Sequence, residues 1–315
     1  MPRINVYLPK DVYELAERWR ASANLSEICA RAIRDELGAA EAYRTAESVF
    51  AALRPASMAE AALARRYGLV DVLIADAGDD DQIRETLGRL AAGYLDRNIC
   101  DRSLLAISGG RQMWCMVRNL SPRRVRATIT ALGIHQADPK LLHAHPNALT
   151  TLLSLLYAPR SEAHVIGAGT AAEVWAAELP HRDHPTYFVV SSCAAFDRSS
   201  SFAKLLGTST VDLLQARRVA GDFGYVFLDD RGDAIPVTLD GPQFTLLPVF
   251  LTALSRRSDA RTILVAGGPE KLDIIGKTLA AKLCNTLITD AATAAELLRS
   301  EGDAKRTARR SRRAG

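Results

Sequence analysis

The chain has 315 residues, 48% apolar and 24% charged, with a formal net charge of +4. This is the profile of a globular protein with an ample core. It excludes a membrane-spanning helix, since no run approaches 18 uninterrupted apolar residues, and no charged, apolar, small-residue order marks a signal peptide. Residues 301–315 hold six Lys/Arg against Glu301 and Asp303, so the other 300 residues sum to zero and the body of the chain is not broadly basic. This short end has no apolar periodicity and is predicted to be a disordered, solvated tail or a non-specific phosphate-binding one. The five cysteines, Cys29, Cys100, Cys115, Cys193 and Cys284, stand singly without CxxC spacing, which predicts free thiols and a cytoplasmic address.

The first element is "RINVYLPKD", Arg3 to Asp11. Ile4, Val6 and Leu8 alternate with Arg3, Asn5 and Tyr7, the period-2 pattern of a half-buried strand, and Pro9 stops it. Val12, Leu15, Ala16 and Trp19 then recur at helical spacing, and Asp11 with Glu14 has the form of a capping box. A second apolar stripe, Leu25, Ile28, Cys29, Ala32, Ile33 and Leu37, ends at Gly38. One strand and two short helices cannot close a core, and an isolated strand edge invites pairing. A second copy of the chain is the simplest partner. Two antiparallel strands across a twofold axis would form a ribbon with Ile4, Val6 and Leu8 inward and Arg3, Asn5 and Tyr7 outward. Such a ribbon fits the DNA major groove, where Arg and Asn can pair bidentately with guanine and adenine.

The stretch "RINVYLPKDVYELAERW…NLSEICARAIRDEL" therefore resembles a ribbon-helix-helix DNA-binding module. The resemblance implies an intertwined dimer, a palindromic double-stranded operator, base reading by Arg3, Asn5 and Tyr7, and phosphate binding at the second helix's N-terminus by Asn24, Leu25 and Ser26. Residues 1–37 carry six basic and six acidic side chains, so composition alone marks no basic patch. A dimerisation arm that binds no DNA is the competing reading. The module is placed at 1–38.

Residues 39–66 are Ala-rich, helical by propensity and interrupted at Pro55, and are expected to be a helical linker. From Tyr67 the apolar runs "VDVLIADA" (70–77), "SLLAIS" (103–108), "RATITAL" (126–132), "TYFVVSS" (186–192), "YVFLDD" (225–230), "RTILVAG" (261–267) and "NTLITD" (285–290) alternate with helix-like segments. Continuous apolar strands between helices predict an α/β domain over 67–300, with a mostly parallel sheet covered on both faces. Ligands of such sheets sit outside the carboxyl ends of the strands. Four candidates fall there: Ser108-Gly109-Gly110-Arg111-Gln112 before a helix, Ser191-Ser192, Asp222 after an Ala-Gly pair, and Gly267-Gly268 leading to Lys271. A helix N-terminus offers amides to an anion, and Lys271 is a point charge for a phosphate or sugar hydroxyl.

In this order the segments "ARRYGLVDVLIAD", "LLAISGGRQM", "RVAGDFGYVFLDDRGD" and "TILVAGGPEKLDIIGKTLAAKLCNTLITDAATAAELL" resemble the sugar-binding effector domain of SorC/DeoR-type bacterial regulators, over roughly residues 56–299. The resemblance implies a Rossmann-like fold of the sugar-phosphate-isomerase type and a sugar or sugar-phosphate effector. Ser108, Gly110, Arg111 and Gln112 would line the phosphate loop. Asp222 would meet sugar hydroxyls, and Lys271 the ligand near Gly267 and Gly268. Gln112 stands where the family has Thr or Ser, and "VSSCAAF" replaces its Gly-Ile-Gly turn, which leaves open whether the ligand is phosphorylated. Regulators of this family also carry a helix-turn-helix where this chain has the ribbon-like stretch.

His143 and His145 have a spacing unsuited to a metal site on one helical face and are read as structural or ligand-contacting. No metal or cofactor is expected. The reading that joins both parts is a homodimeric, or tetrameric, ligand-responsive regulator. The alternative is a sugar-phosphate isomerase-like enzyme, with Asp222 and Lys271 cast as proton-transfer groups.

Overall fold

The structure, a computed structural model, describes residues 57–76, 80–133, 144–157, 162–164, 186–198, 203, 208–235 and 247–299. The segment 1–38, with Arg3, Asn5, Tyr7, Asn24, Leu25 and Ser26, lies outside them, as do residues 39–56, His143 and the tail 301–315. A boundary between compact units falls at Pro55/Ala56, and everything described below belongs to the second unit.

That unit opens on α1 (Met58–Tyr67). Ser57 and Glu60 form a capping box, and the buried Glu60 carboxylate also accepts from Ile74 N at 2.9 Å, which ties the helix to β1 (Asp71–Ala75). The stretch 58–66, the end of the expected helical linker, forms a helix that is tied to the sheet. Its capping residues are local in sequence, but the contact that anchors it is not.

The chain continues through α2 (Asp80–Asn98), β2 (Leu104–Ile107), α3 (Arg111–Arg118), β3 (Thr128–Ala131), α4 (Pro146–Leu156), β4 (Glu162–His164), β5 (Tyr187–Ser191) and β6 (Cys193–Ala195). Then come α5 (Thr208–Ala216), β7 (Val219–Phe223), β8 (Val226–Asp229), β9 (Ala234–Ile235), α6 (Leu247–Ser255), β10 (Ala260–Val265), α7 (Leu272–Ala280), β11 (Thr286–Asp290) and a helix, α8, over 291–299. Among the described residues, seven strands form one sheet in the order β1-β11-β10-β5-β2-β3-β4, parallel at every pairing.

Alternate residues of each central strand point to opposite faces, and both faces are apolar. Leu105, Ile107, Phe188, Val190, Ile263 and Val265 join one core, packed under α2, α3 and α4 through Leu87, Met113 and Leu153. Leu104, Ala106, Tyr187, Val189 and Leu264 join the other, with Leu63 of α1, Leu251 of α6, Ile275 of α7 and Leu297 of α8. Burial on both sides is why these strands read as unbroken apolar runs.

One run departs from the expectation. "YVFLDD" does not enter the parallel sheet; its residues form β8 of a separate antiparallel sheet, ordered β6-β7-β8-β9. β6 follows directly from the end of β5, so this small sheet grows from a central strand end. Its strands add Phe223, Val226, Phe227 and Leu228 to the second core. An apolar run of four reads alike whichever sheet buries it, which is why its pairing was not legible.

Candidate functional site

β10, β5 and β2 are neighbours at the middle of the parallel sheet, and their carboxyl ends carry the candidate loops. β2 leads through α3 to β3 on one side, whereas β5 leads through the antiparallel sheet to β10 on the other. Strand order therefore reverses between β2 and β5, where a parallel sheet leaves a crevice outside its strand ends. Ser108 and Ser191 meet there: Ser191 Oγ donates to Ser108 Oγ at 2.8 Å, and both residues are buried.

Gly109 and Gly110 turn the chain into α3. Gly110 N donates to Ala144 O at 2.9 Å, beside the start of α4, and no side chain caps α3. A helix N-terminus without a side-chain cap is suited to take an anion or hydroxyl oxygen on its first amides. Arg111 is exposed at the first helical position. Gln112 behaves otherwise: it is buried, and its Nε2 donates to Arg84 O at 3.0 Å, so its side-chain amide ties α3 to α2. His145 caps α4, its Nδ1 accepting from Asn147 N at 3.3 Å, a structural role. Among the described residues, no group of three or more His, Cys, Asp or Glu is arranged to hold a metal ion.

Asp222 does not follow a turn. Ala220, Gly221 and Asp222 lie within β7, and the turn is Gly224-Tyr225, whose φ values of +56° and +69° suit a two-residue hairpin. Asp222 Oδ2 accepts from Tyr225 N at 3.2 Å. Withdrawal from water pushes the Asp222 carboxyl up to about 7, against the lowering effect of that hydrogen bond. Tyr225 is a residue that the sequence reading passed over. It is 6% exposed, and its phenolic oxygen accepts from Gly109 N at 3.2 Å. The sequence reading puts the tight turn at Ala220-Gly221 instead; Gly224, just before the apolar run at 225–230, is the local signal for the true turn, and nothing local signals its partner.

At the end of β10, Gly268 N donates to Asp290 Oδ2 and to Thr293 Oγ1, each at 3.0 Å. Asp290 is 1% exposed and also accepts from Thr293 N at 2.9 Å and Thr293 Oγ1 at 2.6 Å. The Gly268 amide is thus engaged inside the protein. Lys271, half-buried at the start of α7, pairs with Glu270 at 3.5 Å. Burial pushes the Cys193 thiol up; Lys271 opposes that push and Asp222 adds to it. Both charges therefore act on the start of β6. Ser192, half-buried beside it, donates Oγ to Cys193 O at 3.4 Å. Cys100, Cys115, Cys193 and Cys284 are free thiols.

The structure thus joins Gly109 and Asp222 through Tyr225 of the turn, pairs Ser108 with Ser191, and brings Lys271 and Asp222 to bear on Cys193. It gives the Gln112 side chain and the Gly268 amide structural partners. The class so defined is a Rossmann-like α/β domain whose strand-end crevice adjoins an antiparallel hairpin.

Residues 53–162 match the family described as "Putative sugar-binding domain". Among solved structures, the probable sor operon regulator of Shigella flexneri is 22% identical with a TM-score of 0.61, over 76% of this chain and 98% of that one. The full-length sorbitol operon regulator SorC of Klebsiella pneumoniae is 21% identical with a TM-score of 0.61, over 78% and 82%. A transcriptional regulator of Streptococcus pneumoniae TIGR4 is 19% identical with a TM-score of 0.61, over 77% and 96%. At these identities the likeness is one of fold. No curated protein sequence matches the chain. Among the described residues, no helix is long and apolar enough to cross a membrane.

Proposed function

We propose that this chain is a cytoplasmic, ligand-responsive transcription regulator. Its sheet domain takes a sugar, sugar phosphate or related metabolite, and its N-terminal segment binds operator DNA as a dimeric β-ribbon. The observation that carries the sensor half is the reversal of strand order between β2 and β5, with the side-chain-uncapped α3 N-terminus, Ser108 and Ser191 at its mouth. The match of residues 53–162 to a sugar-binding family supports the ligand class, and the fold shared with operon regulators supports the regulatory role.

In this reading the first amides of α3 and the Arg111 guanidinium take an anionic or hydroxyl oxygen, while Ser192, Asp222 and Lys271 meet the rest of the ligand. Arg3, Asn5 and Tyr7 read bases, and Asn24, Leu25 and Ser26 hold a phosphate. The ligand alters DNA affinity only by its differential affinity for two arrangements of the paired subunits.

A thermal-shift screen of sugars and sugar phosphates tests the sensor; a bound ligand raises the melting temperature by linkage. Changing Arg3 and Asn5 together to Ala tests the ribbon. Each lost bidentate base contact is expected to cost about 1–3 kcal/mol of operator affinity while the dimer stays folded. Undiminished operator affinity in the double variant would defeat the ribbon assignment.

One observation speaks for the enzyme alternative: a carboxyl held at about 7, as Asp222 is, suits proton transfer at neutral pH. Turnover of a sugar phosphate by the purified protein, lost in Asp222→Asn, would establish that reading in place of ours.

A further inference from the structure

The amide of Gly109 stands at the carboxyl end of β2, where the proposed effector meets the protein, and it is already occupied. Its acceptor is the Tyr225 phenolic oxygen, from a residue 116 positions along the chain. The turn that delivers this oxygen is fitted to the same strand ends. A Cβ on Gly224 would lie 2.7 Å from Leu132 Cδ2, next to the end of β3, and 3.3 Å from Ser191 Oγ. Tyr225 is held at positive φ, uncommon for a bulky residue, with its own amide latched to Asp222. A hydroxyl that accepts from a strand-end amide, one residue on from Ser108, does there what a sugar hydroxyl or phosphate oxygen would do.

We propose that the Gly224-Tyr225 turn is an internal stopper: the Tyr225 hydroxyl stands in for an effector oxygen on the Gly109 amide, and the effector binds by displacing it. This rests on placing the effector site at the β2/β5 crevice, and adds what the ligand presents there and how the site is gated. The ligand offers an acceptor oxygen to Gly109 N. Its apparent affinity is reduced by the fraction of molecules in which the turn is seated. The turn joins β7 to β8, and α7 packs on both strands and on β6. Displacing the turn therefore shifts a body that includes Lys271, which converts binding into movement of the antiparallel sheet.

The test compares the full chain with Tyr225→Phe, which keeps the ring and removes only the hydroxyl, and with Gly224→Ala, whose new methyl group presses the turn away. Hydrogen exchange at Gly109 needs no ligand and is expected to quicken in both variants. Inorganic phosphate, titrated against all three proteins, is expected to bind Tyr225→Phe roughly three- to tenfold more tightly, the range one exchanged hydrogen bond spans. Gly109 exchange unchanged in both variants overturns the stopper. Weaker phosphate binding by Tyr225→Phe also overturns it, by making Tyr225 a ligand contact. Quickened exchange, with no phosphate, sugar or sugar phosphate bound by any of the three proteins, overturns the effector site itself and the gating with it.

Discussion

Gly109 after β2 and Gly268 after β10 each present a backbone amide at the end of a central strand, and both amides are satisfied within the chain. For Gly268 the acceptors are Asp290, buried at the end of β11, and Thr293, buried in the first turn of α8, 22 and 25 residues away and hydrogen-bonded to each other. For Gly109 the acceptor is the phenolic hydroxyl of Tyr225, on a hairpin turn. The first arrangement cannot open without unpairing a buried carboxylate. The second exchanges the tyrosine oxygen for another acceptor, and a ligand's hydroxyl or phosphate oxygen can supply it. A glycine-rich strand end is therefore a binding loop or a structural clamp according to what holds its amide.

The largest expected effect lies in the clamp. Asp290→Ala leaves the Thr293 amide without its acceptor and the Gly268 amide with Thr293 Oγ1 in place of two acceptors, and at about 1–3 kcal/mol for each of the two buried groups it should cost roughly 2–6 kcal/mol. Urea unfolding measures it, and a loss under about 1 kcal/mol would erase the contrast with Gly109. Gly267→Ala attacks the same network by crowding. Its Cβ would stand 2.1 Å from Asp290 Oδ2, and overpacking of this kind costs about 1–3 kcal/mol.

Asp222→Asn addresses the latch through pH. The folded chain holds the Asp222 proton more tightly than the unfolded chain does, its carboxyl rising from 3.8 to about 7. That contribution is full below about 4 and is lost as pH rises through about 7. The wild type should thus lose melting temperature relative to Asp222→Asn between pH 5 and pH 8. Parallel curves would show that Asp222 is not withdrawn from water as described.

The smallest effect on stability belongs to Lys271→Ala. Among the described residues Lys271 forms an ion pair with Glu270 alone, and the Glu270 side chain is 56% exposed, so the change should fall within about 0.5 kcal/mol. The same variant should lose the thermal shift given by the effector. A full shift in Lys271→Ala would move the ligand away from α7.

Much of the fold was legible because the parallel sheet is covered on both faces. Six of the seven apolar runs became its strands, and their polar and glycine ends fell together at β2, β5 and β10. The stretch from Asn285 to Thr293, part of the segment that carries the family resemblance, holds residue types fixed by their partners. Asn285 bonds to Thr262 N and to Ala260 O across β10, and Asp290 clamps Gly268, so these residue types answer strict local demands. Other features were present but ambiguous. β7 buries Val219, Gly221 and Phe223 and leaves Ala220 and Asp222 half-buried, a period-2 strand pattern that the glycine made look like a turn.

What the sequence determined by itself was periodicity, strand ends and capping, since these depend on neighbours a few residues apart and on whether one face or two are buried. Which strands pair, where the Gln112 amide points, and that Tyr225 occupies the Gly109 amide were decided by tertiary structure alone. A hydrogen bond between residues 116 positions apart leaves no periodic trace, because its geometry exists only once two sheets have packed together.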